Sequence, residues 1–486
     1  LYAQPPLMIN PKKAADDLLR IFPDLNQERV VRNFTSGKRK FVWVKKSVSP
    51  EQQQQVHDLG EPGLLFGNRE IRLYPNGKLA AHILGGTRFG EEGVKAAEIV
   101  GVGGVEKYFD DMLRDPALEG KPLELSIDLT AQAATRQVLK DGMRYMNAKG
   151  ASAILMDVHT GEIISLVSLP DFDPNNRPRE AVSGDPSDNP LFNRAAQGLY
   201  ELGSTFKIFT AATSLEKGLA NPKTIIDTTP FRWNKKNYND YRDYGLTNSV
   251  EDVIMKSSNT GTIRMALAAG SAAQKKTLKD LGFFKSLPIE LVEASRSKPL
   301  IPKNWSDSST ITISYGHGIS ATPMHLASAY SIIANGGFKV LPTLKKQIPT
   351  NAKKEQVIST KTSEQLTSML RRVVSENDGT ATMGNVYGYQ VAGKTGTADK
   401  IKPSGGYYKD KVMTTFASIF PASNPKYTLI VTLDEPEIEV LGKRKRTAGF
   451  TAVPVAAEII SRVAPILNLR PIATNDAMEY TSISSQ

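Results

Sequence analysis

Residues 153–158 and 162–167 form two apolar, β-branched runs joined by His159-Thr160-Gly161. Two such runs around a short Gly-containing turn predict a β-hairpin. Further strand-like runs, Val391-Ala392, 414–419 and 427–433, come only much later in the chain. Between these groups residues 204–380 are largely helical in spacing and rich in loops. An amphipathic helical pattern covers 131–146, and an apolar helical run covers 453–466. This order predicts an α+β or α/β sandwich in which one antiparallel sheet is covered by helices.

The first 120 residues have another texture. Residues 11–22 have helical spacing, 41–44 resemble a short strand, and Glu61-Pro62-Gly63 and Tyr74-Pro75-Asn76-Gly77 are turn signals. No nucleophile, ligand cluster or phosphate loop stands out there. The expected organisation is a separate, non-catalytic module over 1–120, ending near Gly120-Lys121-Pro122, and one large domain over 121–486. A chain of 486 residues has room for both.

Composition narrows the chemistry. The chain has no cysteine, which excludes a disulfide-framed module and a Cys-ligated zinc or iron–sulfur centre. No run of about 18 apolar residues is present. The first residue is Leu1 rather than Met, so a trimmed product is expected, with any signal or anchor outside this chain. Net charge is +11, from 61 Lys and Arg against 50 Asp and Glu. Residues 1–120 are nearly balanced, 17 against 16, so the excess belongs to the larger part. Such a surplus favours nucleic acid, anionic lipid or a carboxylate-bearing substrate. Nucleic acid has no motif behind it, because the basic run 443–446 lacks interleaved aromatics and is expected to be a solvated hairpin.

The five histidines, His57, His82, His159, His317 and His325, form no His-x-x-x-His or His-Glu-x-x-His pair. No metal site is therefore expected. A Gly-x-Ser-x-Gly elbow and a Walker loop are also missing. What remains is chemistry with lysine as the base. Ser204-Thr205-Phe206-Lys207 sets a hydroxyl and an amine on one helix face, three residues apart. A free lysine is protonated at neutral pH, with a pKa of about 10.4, so Lys207 needs burial or a positive neighbour to act as a base. Phe206, Ile208 and Phe209 supply an apolar setting.

The same spacing recurs at Ser214-Leu215-Glu216-Lys217 and Ser295-Arg296-Ser297-Lys298. The first pair is expected on the helix surface before Gly218, and the second in a loop before Pro299. Two more signals favour Ser204. Lys394-Thr395-Gly396-Thr397 follows Val391-Ala392-Gly393, a strand-like segment where Gly396 lets a substrate backbone lie close and Lys394, Thr395 and Thr397 can bind a carboxylate. Ser257-Ser258-Asn259 offers a hydroxyl to relay a proton and an amide to orient a peptide bond. Ser187-Asp188-Asn189 precedes Ser204 and is rejected by order, whereas Ser375-Glu376-Asn377 is expected at a helix end. The ordered set of three motifs carries more weight than any one of them.

These three motifs resemble those of the penicillin-binding, serine-acylating transpeptidases. Asn193-Arg194-Ala195, Tyr200-Glu201-Leu202-Gly203-Ser204, the segment 314–323 around Gly316-His317-Gly318, and Gly388-Tyr389-Gln390-Val391-Ala392-Gly393 are similar to the class B penicillin-binding proteins. Tyr74-Pro75-Asn76-Gly77 with Ala80-Ala81-His82, and residues 104–109, resemble the pedestal module of that class. Gly316-His317-Gly318 is more similar to the division-specific FtsI type than to the elongation type. Two departures stand out. Leu202 occupies a position often held by proline, and the Arg-Gly and Asp-Arg motifs expected after a membrane anchor are missing.

The resemblance implies the penicillin-binding transpeptidase fold with an elongated N-terminal pedestal, and acyl transfer on stem peptides ending in D-Ala-D-Ala. Ser204 would be the nucleophile and Lys207 its base, while Ser257 and Lys394 return the proton to the leaving nitrogen. Asn259 would hold the substrate amide, Thr395 and Thr397 its carboxylate, and the backbone N–H groups of Ser204 and Thr397 the oxyanion. His317 is expected to shape the site wall rather than react. No metal or cofactor is implied. Implied partners are peptidoglycan stem peptides, β-lactams, and division proteins including an FtsW-type glycosyltransferase. The inner membrane would be reached through an anchor absent from this chain, with the catalytic domain in the periplasm. Water in place of the acceptor amine would give a D,D-carboxypeptidase, and a pocket without turnover a β-lactam sensor or scaffold.

Overall fold

The computed structural model describes residues 1–67, 72–89, 99–180, 182–348, 354–402 and 404–472. The chain forms two compact units, Leu1–Arg72 with Phe89–Ile99, and Leu73–Arg88 with Val100–Gln486. By compactness, residues 73–88 and 100–120 belong to the large unit.

In the small unit, strand Tyr2–Ala3 lies between Val42–Trp43 and Leu64–Leu65, antiparallel to both. Helices Pro11–Ile21, Gln27–Thr35 and Pro50–His57 each start at a side-chain cap, Asn10, Asn26 and Ser49. The last has a full capping box, in which Ser49 and Gln52 satisfy each other's backbone N–H groups. Ala15, Leu18, Phe22, Val30, Phe34 and Val56 turn inward from these helices to form the core.

The large unit is built on a five-stranded sheet: β1 (Gly150–Asp157), β2 (Ile163–Leu169), β3 (Ala392–Ile401), β4 (Tyr407–Phe420) and β5 (Tyr427–Asp434). Its spatial order is β3-β4-β5-β1-β2, antiparallel throughout. The predicted hairpin is β1–β2, and the late strands complete the same sheet. β3 and β4 run well past the apolar runs 391–392 and 414–419, because their outer halves, such as 399–401 and 407–411, are polar and only paired to each other.

Helices cover both faces. In α1 (Pro323–Ala334) the Ser331 hydroxyl donates to Thr428 on β5 at 3.0 Å. At the start of α2 (Ala452–Ile466) the Thr451 hydroxyl donates to Thr414 on β4 at 3.1 Å. Thr414 pairs with Leu433, and residues 428 and 433 point to opposite sides of a pleated strand. α1 and α2 thus lie on opposite faces, and the sheet is buried between them, as expected. The insert 204–380 is mostly helical but also holds two small antiparallel pairs that the spacing did not predict, Phe231–Trp233 with Lys236–Tyr238 and Ile225–Asp227 with Thr247–Ser249. Residues 438–445 form the expected basic hairpin.

Candidate active site

Ser204 sits in a 3-10 turn, Gly203–Phe206, that runs directly into helix Lys207–Glu216. Gly203 has φ +54°, and a Cβ there would come within 2.8 Å of the Thr397 carbonyl oxygen. Glycine is thus what lets the nucleophile turn rest on β3. Leu202 is buried and its carbonyl accepts from the Thr205 hydroxyl at 2.9 Å, so the leucine in the usual proline position closes the turn without strain at φ −95°. Gly203, Thr205 and Phe206 are buried, whereas Ser204 is half-buried.

One turn on, Lys207 is 1% exposed. Phe206 and Phe209 lie in edge contact at 5.2 Å and both pack on Phe283, which closes the apolar wall behind the motif. Burial brings the Lys207 ammonium down to a pKa of about 7, opposed by the nearby Asp240 carboxylate. A half-deprotonated amine at neutral pH is what a general base requires. Lys207 Nζ donates to the Ser257 carbonyl at 2.5 Å and lies 3.1 Å from the Ser257 hydroxyl.

Ser257 reaches Lys207 because it ends helix Val250–Lys256 in the left-handed region, φ 63° and ψ 42°. Uncommon for a residue with a side chain, this conformation turns the chain sharply into helix Asn259–Ala269. Ser258 caps that helix, and the Asn259 amide, half-buried, donates to the Asn239 carbonyl at 3.3 Å.

The third motif lies on β3, an edge strand of the sheet. Its unpaired side can accept an extended peptide as one more strand. Gly396 is packed on the nucleophile turn: a Cβ would meet the Leu202 carbonyl oxygen at 2.3 Å. Lys394 is fully buried, with Nζ 3.4 Å from the Thr395 carbonyl. Burial, then the positive charge of Lys207, hold its pKa well below the ordinary lysine value. The Thr395 hydroxyl is buried and bonded to that of Thr380 at 2.8 Å. Thr397 is half-buried, and its hydroxyl accepts from the Ala448 N–H at 3.0 Å, which leaves its proton for a ligand.

Ser204, Lys207, Ser257 and the Lys394–Thr397 strand therefore converge, with Asn259 at the head of the adjoining helix. The rival Ser-x-x-Lys pairs do not join them. Ser214 is buried on the Lys207–Glu216 helix rather than at the surface, since it faces the neighbouring helix, 3.5 Å from the Met265 carbonyl. Ser295 ends a short helix, Val292–Ser295, instead of lying in a loop, and its hydroxyl returns to the Val292 carbonyl. Ser375 is the last residue of helix Thr360–Ser375.

Glu201, Tyr407 and Asp240 had no assigned role in the motif reading, and His317 was expected only in the site wall. Glu201 Oε1 accepts from the Gly318 N–H at 2.7 Å and from the Tyr407 hydroxyl at 3.1 Å, tying the nucleophile segment to Gly316-His317-Gly318 and to β4. Gly316 could not carry a side chain, since a Cβ would lie 1.9 Å from the Gly203 carbonyl oxygen. His317 stands between the rings of Tyr315 and Tyr407, at 5.2 and 6.2 Å, with its pKa lowered by burial. Asp240 binds the start of the Asn259 helix. Glu201 adjoins a motif and was visible; Tyr407 opens the polar outer end of β4 and Asp240 lies in a polar loop, with no spacing to mark either.

Comparisons with known proteins identify the family. The penicillin binding protein transpeptidase domain model matches residues 151–461, and the penicillin-binding protein dimerisation domain model matches 1–116. The probable peptidoglycan D,D-transpeptidase FtsI of Caulobacter vibrioides is 32% identical over 480 residues, 97% of this chain and 78% of that protein. The peptidoglycan D,D-transpeptidase FtsI of Escherichia coli K12 is 29% identical, over 96% of this chain and 79% of its own length. Among solved structures, apo penicillin binding protein 3 from Mycobacterium tuberculosis superimposes with a TM-score of 0.71 at 27% identity, covering 83% of this chain and 92% of that one. The same protein has been solved with aztreonam and with ampicillin. The transpeptidase domain of Burkholderia pseudomallei penicillin-binding protein 3 gives 0.62 at 29% identity, covering 72% and 98%. With its sheet, its three converging motifs and relatives along nearly its whole length, the chain belongs to the class B penicillin-binding proteins of the FtsI type.

Proposed function

We propose that this chain is a serine-acylating peptidoglycan D,D-transpeptidase that cross-links stem peptides at the division septum. One observation carries the reading: Lys207 is buried one helical turn after Ser204, near pKa 7, and held by Ser257. Lys207 takes the Ser204 proton as Oγ attacks the carbonyl carbon of the penultimate D-alanine. The C–N bond breaks, the leaving D-alanine nitrogen gains a proton by way of Ser257 and Lys394, and an acyl-ester on Ser204 remains. An amine from a second stem peptide then attacks the ester, and Ser204 regains its proton.

Asn259 holds the substrate amide, and Thr395 and Thr397 face the terminal carboxylate, with Gly396 leaving room for the peptide beside the strand. The Ser204 and Thr397 backbone N–H groups bind the oxyanion, a role worth a few kcal/mol per donor, about 3. A β-lactam follows the same first step and stays on Ser204. Residues 1–120 act as the pedestal and 121–486 as the catalytic domain. The pedestal meets division proteins, among them an FtsW-type glycosyltransferase, and the catalytic domain works in the periplasm at the inner membrane. Among the described residues no helix is long and apolar enough to cross a membrane.

Intact mass after treatment with a fluorescent penicillin tests the reading. A single persistent adduct, lost in Ser204→Ala, is expected. Rapid release of the adduct would instead indicate a hydrolytic enzyme, and an adduct on Ser204→Ala would refute the nucleophile.

A further inference from the structure

Asp240 lies just after the small hairpin Phe231–Trp233/Lys236–Tyr238 and belongs to none of the three motifs. Its Oδ1 accepts from the backbone N–H of Asn259 and, at 3.0 Å, from that of Thr260. Its Oδ2 accepts from the hydroxyls of Ser258 at 2.7 Å and Thr260 at 3.0 Å. A helix start leaves several N–H groups without partners, and the preceding residue usually serves one of them. Ser258 does so here, accepting from Gly261 at 3.0 Å. Asp240 serves the two before it, at Asn259 and Thr260, from a distant loop, and its charge suits the positive end of the helix.

The turn so gripped is Ser257-Ser258-Asn259, and Ser257 supplies both oxygens that meet Lys207. Asp240 also acts on Lys207 through space, opposing the effect of burial. Burial first, and then the charge of Lys207, disfavour the cationic form of Lys394; His317 is likewise lowered by burial, with Asp399 opposing and Lys207 and Lys236 adding to the effect. Asp240 is therefore the carboxylate that opposes burial at Lys207.

We propose that Asp240 is a positioning residue for acylation, holding the Ser257-Ser258-Asn259 turn against Lys207 and stabilising the ammonium that Lys207 becomes when it takes the Ser204 proton. This rests on the acylation reading given above. Two consequences have opposite signs. Removing the charge slows acylation, because the ammonium formed is less stable. It also frees Lys207 of its resting proton at lower pH, so the acid limb of the pH–rate profile moves down.

The test is the acylation rate with a fluorescent penicillin across pH, on the whole chain, for wild type, Asp240→Asn, Asp240→Glu and Thr260→Val, each checked by thermal melting. Asp240→Asn is expected to lower the plateau rate about tenfold and to move the acid midpoint down by roughly half a pH unit. Asp240→Glu keeps the charge but not the fit, so the rate falls while the midpoint stays near wild type. Thr260→Val loses the hydroxyl contacts to Asp240, Ser258 and the Thr228 carbonyl and keeps both charge and midpoint. A lower rate in Asp240→Asn with an unmoved midpoint would make Asp240 a mere cap and overturn the proposal, as would a wild-type rate. If Asp240→Asn melts below the assay temperature, a wild-type rate or a shifted midpoint in Asp240→Glu overturns it instead. Wild type that takes up no label overturns the acylation reading itself.

Discussion

The Lys207 ammonium nitrogen lies 3.1 Å from the hydroxyl of Ser257, a residue 50 positions further along the chain. A lysine so deeply buried needs polar partners, and Ser257 offers two oxygens while its left-handed backbone points them inward. Lys207 and Ser257 are thus already within hydrogen-bond reach of each other.

Acylation should depend on the free amine of Lys207. Its pKa is lowered, so the proton blocks the base below about 7 and leaves it above. The acylation rate with penicillin should therefore rise with pH through that value and level off above it. A flat profile from pH ~5 to ~9 would contradict Lys207 as base. Lys207→Ala should lose on the order of 10²–10⁴-fold in rate.

Ser204→Ala should abolish labelling, whereas Ser214→Ala and Ser295→Ala should leave it intact. Ser214 is buried but makes only a 3.5 Å contact, so its loss should change stability by less than about 1 kcal/mol. Gel fluorescence and a urea midpoint check both statements.

Gly396→Ala should weaken acylation while the protein stays folded. The added methyl would sit 2.3 Å from the Leu202 carbonyl and 2.9 Å from Thr205, so β3 and the nucleophile turn must part. Displacement of reacting groups by about 1 Å costs roughly 100-fold in rate. Labelling kinetics with a melting curve separate this from unfolding.

Asp434→Ala should destabilise the large unit. Arg194 and Asp434 are each about 1% exposed and 3.6 Å apart, and Lys400 Nζ also reaches Asp434 at 2.7 Å. Removing the carboxylate strands a buried guanidinium, at a cost of about 3–5 kcal/mol. A urea midpoint that shifts by less than the equivalent of 1 kcal/mol, ~RT ln 5 on the scale of ordinary substitutions, would contradict this.

Much of the frame was legible because its signals are local. The β1–β2 hairpin shows as two apolar runs about a turn, and Ser204–Lys207 as one helical step. Strand ends were less so, because the outer parts of β3 and β4 are polar and owe their pairing to each other. Ser214 was expected at the surface from its charged neighbours, yet an adjacent helix covers it.

By itself, the sequence determined the order of the motifs, the helical spacing of Ser204 and Lys207, and the strands of the sheet, all of which depend on neighbours within a few residues. Only the tertiary structure decided the state of Lys207. Its low pKa comes from burial, against the opposing Asp240 carboxylate, while Ser257 supplies oxygens to its nitrogen, and no local pattern encodes their convergence. The grip of Asp240 on the Asn259 helix and the link from Glu201 to Tyr407, 206 residues away, belong to the same class. Desolvation and hydrogen bonding act through space, and space is set by the fold.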